Sequence, residues 1–133
     1  MGAWGFGPFE NDDAGDWLYE LEESPDAAVI LAAFSQVAES GEEYLEAPEA
    51  SNALAAAEIV AALNGHPLAD LPENASAWVE EHEEIASADL IDSALAAIER
   101  IRKKSELKEL WDESKDAAKW YATLDDLVKR LNA

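Results

Sequence analysis

Four oxygen-bearing side chains fall within six positions near the N-terminus: Asn11, Asp12, Asp13 and Asp16. Such a set has the chemistry to hold a hard divalent cation, calcium or magnesium, in a metal-binding protein or a metal-dependent hydrolase. Its spacing departs from the EF-hand loop, which alternates its ligands and closes on Glu. The same residues also describe a helix start, with Asn11 or Asp12 as the cap and Asp12 and Asp13 at the positive end of the dipole. The helix start accounts for these residues without a ligand and is preferred.

Other chemistry is sparse. His66 lies in a proline-containing linker, and His82 lies among Glu80, Glu81, Glu83 and Glu84. His82-Glu83 opens like the zinc motif H-E-x-x-H, but position 86 is Ala, so the second ligand is missing. There is no cysteine, which excludes disulfides, thiolate metal sites and Cys nucleophiles. The stretch from Gly2 to Gly7 lacks the Lys and the preceding strand of a phosphate-cradling loop. Carboxylates are too numerous to single out an acid/base couple. No catalytic residue is assigned, and no cofactor is expected.

Charge is more informative. Residues 1–99 hold 23 acids and neither Lys nor Arg; all nine basic residues lie between Arg100 and Arg130, beside seven acids. The net charge of −21 opposes binding to nucleic acid or an anionic membrane, which need Lys and Arg counter-charge. It suits a basic protein, steered in by a long-range field. The expected contacts are Glu39, Glu42, Glu43 and Glu46 on one acidic connection and Glu80, Glu81, Glu83 and Glu84 on a second. Trp4, in a loop, is either a plug for the core or an exposed anchor for that partner. The leading expectation is thus a non-enzymatic acidic binding module of the immunity-protein or antitoxin kind, with DNA mimicry as a special case. Its alternatives are the metal site above and a structural oligomer whose acidity only aids solubility.

The elements that must position these groups are helical almost throughout. Residues 1–10 are the exception: Gly2, Gly5, Gly7 and Pro8 punctuate Trp4, Phe6 and Phe9 in an aromatic loop expected to pack on the helices. A first helix is expected over Asp12–Glu22, with Gly15 inside it admitting a close backbone. Ser24-Pro25 then restarts the chain, Ser as cap and Pro at the first helical position. Pro48 opens a helix that is apolar nearly all round and stops at Gly65, the mark of a buried central element. Short helices follow from Glu73 to Glu83 and after Ser105, a helix capped by Ser87 lies between them, and a last one spans Lys115–Leu131. Thr123 with Asp126 offers an alternative break in that last helix.

The fold class is therefore all-α: one compact bundle of about five to seven helices forming a single domain over residues 1–133. A chain of this length buries a core without staples. No run approaches the ~18 apolar residues of a membrane span, and the N-terminus shows no signal peptide, so a cytoplasmic protein is expected.

The motif Met1-Gly-x-Trp4-Gly5-x-Gly7-x-Phe9-x-Asn11-Asp12-x-Ala14-x-Asp16-Trp17 resembles the opening of a bacterial family, domain of unknown function 4259. The likeness continues at Ser105-Glu106-Leu107-Lys108-Glu109-Leu110-Trp111 and in the closing helix. The resemblance implies a small stand-alone bacterial helical protein and adds no site.

Overall fold

Three helices begin where the sequence supplies a short oxygen-bearing side chain. Asn11 Oδ1 accepts the Ala14 N–H at 2.8 Å and opens α1 (Asp12–Glu22). Ser87 Oγ accepts the Leu90 N–H at 3.2 Å at the start of α5 (Ala88–Lys103). Ser105 Oγ accepts the Lys108 N–H at 3.0 Å at the start of α6 (Glu106–Asp112). Each cap satisfies one of the four amides that a helix start leaves without a partner. Pro48 sits in the first turn of α3 (Ala47–Leu63), where its missing N–H costs nothing. Past the other end of α3, Gly65 takes the left-handed φ of 88° that stops the helix.

The computed structural model describes residues 5, 7–41 and 43–133; among them are seven α-helices and no β-strand. The remaining elements are α2 (Ala28–Glu39), α4 (Glu73–Glu81), a 3-10 turn (Glu83–Ile85) and α7 (Ala117–Leu131). α3 packs against all six other helices. It is buried from Ala50 to Leu63 except at Asn52, and its seven buried alanines let neighbouring helices approach closely. One core cluster joins α3 to Trp17, Leu21, Ile30, Trp78, Ile98 and Leu127 on the surrounding helices. At about 25 cal/mol per Å² of apolar surface removed from water, this burial is the main force holding the bundle together.

Some local expectations give way. α2 starts at Ala28 rather than Pro25. Ser24 Oγ donates to the Asp26 carbonyl at 2.8 Å, while Asp26 Oδ1 takes the Ala28 N–H at 2.9 Å. The carboxylate nearer the helix thus does the work assigned to the serine. α4 ends at Glu81, and α7 starts at Ala117 and runs unbroken past Thr123, whose hydroxyl donates to the Trp120 carbonyl. Around Gly15, no atom of the described residues outside its own helix backbone comes within 4 Å of where a β-carbon would stand.

Candidate functional site

α3 carries one acid among its buried residues. Glu58 is 1 % exposed, so its carboxylate must find partners inside the bundle. Arg130, from the last turn of α7, supplies them: Nη1 reaches Oε1 at 2.8 Å and Nη2 reaches Oε2 at 3.0 Å. Arg130 also donates Nε to Asp126 Oδ2 at 2.8 Å and Nη1 to the His66 carbonyl at 3.2 Å. Burial pushes the Glu58 carboxyl above its ordinary range; the hydrogen bond and charge of Arg130 oppose this without overcoming it.

Glu58 also lines a cavity of about 350 Å³ between the start of α1 and helices α3, α6 and α7. Leu54, Leu107, Trp111, Trp120, Leu124 and Leu127 form its apolar walls. The two indole rings lie nearly parallel, 12° apart in plane with centroids at 6.4 Å. Asn11, Asp13, Ser51, Glu58, Glu106 and Thr123 bring polar groups to it. Its size and its mix of apolar wall and few polar groups match a small-molecule pocket. Glu106 is held in place twice: its Oε1 accepts the Ala47 N–H at 2.8 Å, and its own N–H donates to the Leu45 carbonyl at 2.8 Å.

The charge polarity of the chain becomes a polarity in space. α1 and α4 pack on α3 and on each other, while α5, α6 and α7 pack together on α3 and carry the cations. Ion pairs on that second side use local acids: Arg102 with Asp125, Lys108 with Asp112, Lys119 with Asp116, Lys103 with Glu99. Tyr44 donates to Glu109 at 2.5 Å, and that bond raises the Tyr44 phenol to about 12.

A family model matches residues 2–123. The chain belongs to the family described as Domain of unknown function (DUF4259). Neither a curated protein nor a solved structure matches it. The stretch shared with DUF4259 contains Glu58, Trp111 and Trp120 and ends before Arg130.

The acids expected at a partner surface divide between two places on this DUF4259 chain. Glu39, Glu43 and Glu46 are exposed around the α2–α3 connection. There Arg100 reaches in, donating Nη2 to the Glu43 carbonyl at 2.8 Å and the Gly41 carbonyl at 3.3 Å. Glu80, Glu81, Glu83 and Glu84 are exposed at the end of α4. That end is tied to the α1–α2 connection by Trp78 Nε1, which donates to the Ser24 carbonyl at 3.1 Å. It therefore stands beside the exposed Glu22, Glu23 and Asp26. The two groups flank opposite ends of α2, a span of about 18 Å at 1.5 Å per residue. None of the described acids in either group enters an ion pair among the described residues. Glu42 and Trp4 lie outside the described residues.

Asn11 is occupied as a cap, and its Nδ2 donates to the Pro8 carbonyl at 3.3 Å. Asp12 and Asp16 are exposed, while Asp13 faces the cavity. Among the described residues no group of three or more acids or histidines is arranged to hold a metal. His82 is half-buried and stacks on Trp78 with ring centroids 4.1 Å apart. No helix among the described residues is long and apolar enough to cross a membrane.

Glu58, Arg130 and the cavity were not singled out from the sequence. Glu58 did leave a signal: it is the one acid in the apolar run from Ala53 to Leu63. Arg130, 72 positions away, left none.

Proposed function

We propose that this protein is a non-enzymatic binding module whose acidic corner docks on a basic protein. One observation carries the reading. α1 and α4 both end at the same corner, and both end on acids: Glu20 and Glu22 in the last turn of α1, Glu80 and Glu81 in that of α4, with no basic residue in either turn. A helix C-terminus is the negative end of the macrodipole and favours cations. Each misplaced carboxylate costs about 0.3–1 kcal/mol there. Local rules broken without compensation are a mark of functional surfaces. Glu23, Asp26, Glu83 and Glu84 extend the patch beyond the helix ends. Such a surface raises the rate of encounter with a cationic partner and rejects anionic ones.

Of the two acidic groups, the α4 corner suits this role better, because Arg100 already stands against the α2–α3 connection. In this reading the protein works in the bacterial cytoplasm and needs no cofactor. The test is capture from a lysate on the immobilised protein at low and raised salt. A strongly basic protein is expected to be held at low salt and released at high salt. The variant Glu80→Gln/Glu81→Gln/Glu83→Gln/Glu84→Gln is expected to lose it, and Glu39→Gln/Glu43→Gln/Glu46→Gln to keep it. Retention of no basic protein at low ionic strength, or equal retention by the α4 variant, overturns the proposal.

A further inference from the structure

The cavity beside Glu58 plays no part in a docking surface at the α4 corner. We propose that it is a binding site for a small organic monocation with an apolar, aromatic-sized body, such as an arylamidinium or arylalkylammonium ion.

The charge of the ligand follows from the lining. Asp13, Glu58 and Glu106 bring three carboxylates to one cavity, and no Lys, Arg or His lines it among the described residues. Arg130 stands behind Glu58 and is shared with Asp126, so these three groups together stay anionic when ionised. An ionised carboxylate has about four lone-pair positions. Arg130 takes one on each oxygen of Glu58. Among the described residues no other donor takes the rest, which leaves Glu58 with acceptor capacity at the cavity it lines. A carboxylate in a site shielded from water favours a cation far more than one on the surface.

The body of the ligand follows from the walls. Two tryptophans and a ring of leucines present apolar surface, and the indole faces attract a cation held against them. A bare metal ion or a polyamine would leave those walls uncovered. An anion would meet three acids with no cation among the described lining residues. A cavity of about 350 Å³ lies at the small end of the ligand-pocket range, which sets the size at one ring and a short substituent.

Three probes of one shape separate charge from shape: benzamidinium, neutral benzamide and anionic benzoate. Binding is read by calorimetry and by tryptophan fluorescence, at physiological salt so that the acidic exterior is screened. Benzamidinium is expected to bind at least about tenfold more tightly than benzamide, and benzoate not to saturate up to about 10 mM. Glu58→Gln is expected to weaken benzamidinium by about tenfold or more, since Arg130 then loses its buried counter-charge. Should Glu58→Gln not fold, Glu106→Gln, which keeps an acceptor for Ala47, replaces it and is expected to weaken the ion in the same direction. Leu110→Trp, which fills the cavity from a half-buried wall position, is expected to abolish binding while keeping the helical circular dichroism. Equal affinity for benzamide, no saturation by benzamidinium, or unchanged binding in a folded Leu110→Trp protein overturns the proposal. The α4 variants that test docking do not touch these residues, so the two proposals fail separately.

Discussion

Glu58 and Arg130 meet across α3 and α7 in a two-point contact, Oε1 to Nη1 at 2.8 Å and Oε2 to Nη2 at 3.0 Å. The partners are not equivalent. Glu58 is 1 % exposed in its side chain and among the described residues has only Arg130 as a charged partner, whereas Arg130 is 15 % exposed and keeps Asp126 and the His66 carbonyl. Removing the arginine therefore strands a buried carboxylate, a change that costs about 3–5 kcal/mol. Arg130→Met is expected to fall in that range by urea unfolding. Glu58→Gln is expected to change stability by less than about 1 kcal/mol, since a hydrogen bond to Arg130 survives and the buried charge is removed. The double variant is expected to be more stable than Arg130→Met alone, because no charge remains to strand. A double variant less stable than both singles would contradict this.

The same pair sets a pH dependence. Burial raises the folded-state pKa of Glu58, Arg130 opposing it incompletely. A raised carboxyl pKa means that the folded state holds the proton more tightly than the unfolded chain does. Its stabilising contribution is complete below the unfolded value, near 4.5, and is lost as pH rises through the folded value. Glu58→Gln mimics the protonated form at every pH, and the other acids are common to both proteins. The stability of the natural protein relative to Glu58→Gln is thus expected to fall as pH climbs from about 4.5. Melting temperatures of the two proteins across pH 4–8 check it, and a natural protein that gains on Glu58→Gln as pH rises would contradict it.

Ser105 is buried at 2 % exposure at the bend between α5 and α6. Its hydroxyl donates to the Ile101 carbonyl at 2.8 Å and accepts the Lys108 N–H at 3.0 Å, closing one helix and opening the next. Ser105→Ala removes both bonds without water to replace them, at an expected cost of about 1–2 kcal/mol. The melting temperature is expected to drop by about 4–8 °C.

Asn11 distinguishes the cap from a metal ligand. Its Oδ1 holds the Ala14 N–H, so Asn11→Ala is expected to cost about 1 kcal/mol and Asn11→Asp much less. Neither calcium nor EDTA is expected to move the melting temperature of the natural protein. A protective shift with calcium that vanishes in Asp13→Asn and Asp16→Asn would restore the metal reading.

Local chemistry made much of this fold legible. Ser87 and Asn11 announce helix starts because a cap works within three residues of itself, and the apolar run after Pro48 announces a buried helix because no face of it suits water. Ser24 misled because Asp26, two residues on, competes for the same role and wins. The site was less legible for a different reason. Glu58 is an ordinary acid until Arg130 is placed against it, and Glu106 joins Asp13 in one cavity only once α6 crosses the start of α3. Separations of 59 and 72 positions leave no trace in periodicity. The acidic runs were visible at once, but their sorting, one beside Arg100 and one at an uncompensated corner, required the packing of α4 on Ser24.

That corner sets stability against function. The acids of α1 and α4 repel one another, and Glu80 and Glu81 also face the negative end of their own helix dipole. Glu80→Gln/Glu81→Gln is therefore expected to raise stability, by about 0.5–2 kcal/mol at low salt, while weakening capture of a basic partner. Salt sharpens the point. Screening relieves repulsion between exposed like charges, so the melting temperature of the natural protein is expected to rise as salt is added. The rise should be smaller in the Gln variant, which has less repulsion to relieve. Were the corner neutralised by cations in solution, added salt would weaken those pairs, and the Gln variant would melt lower than the natural protein. A fall with salt, or a destabilised Gln variant, would show that α1 and α4 do not end on an uncompensated surface and would remove the physical basis for docking there.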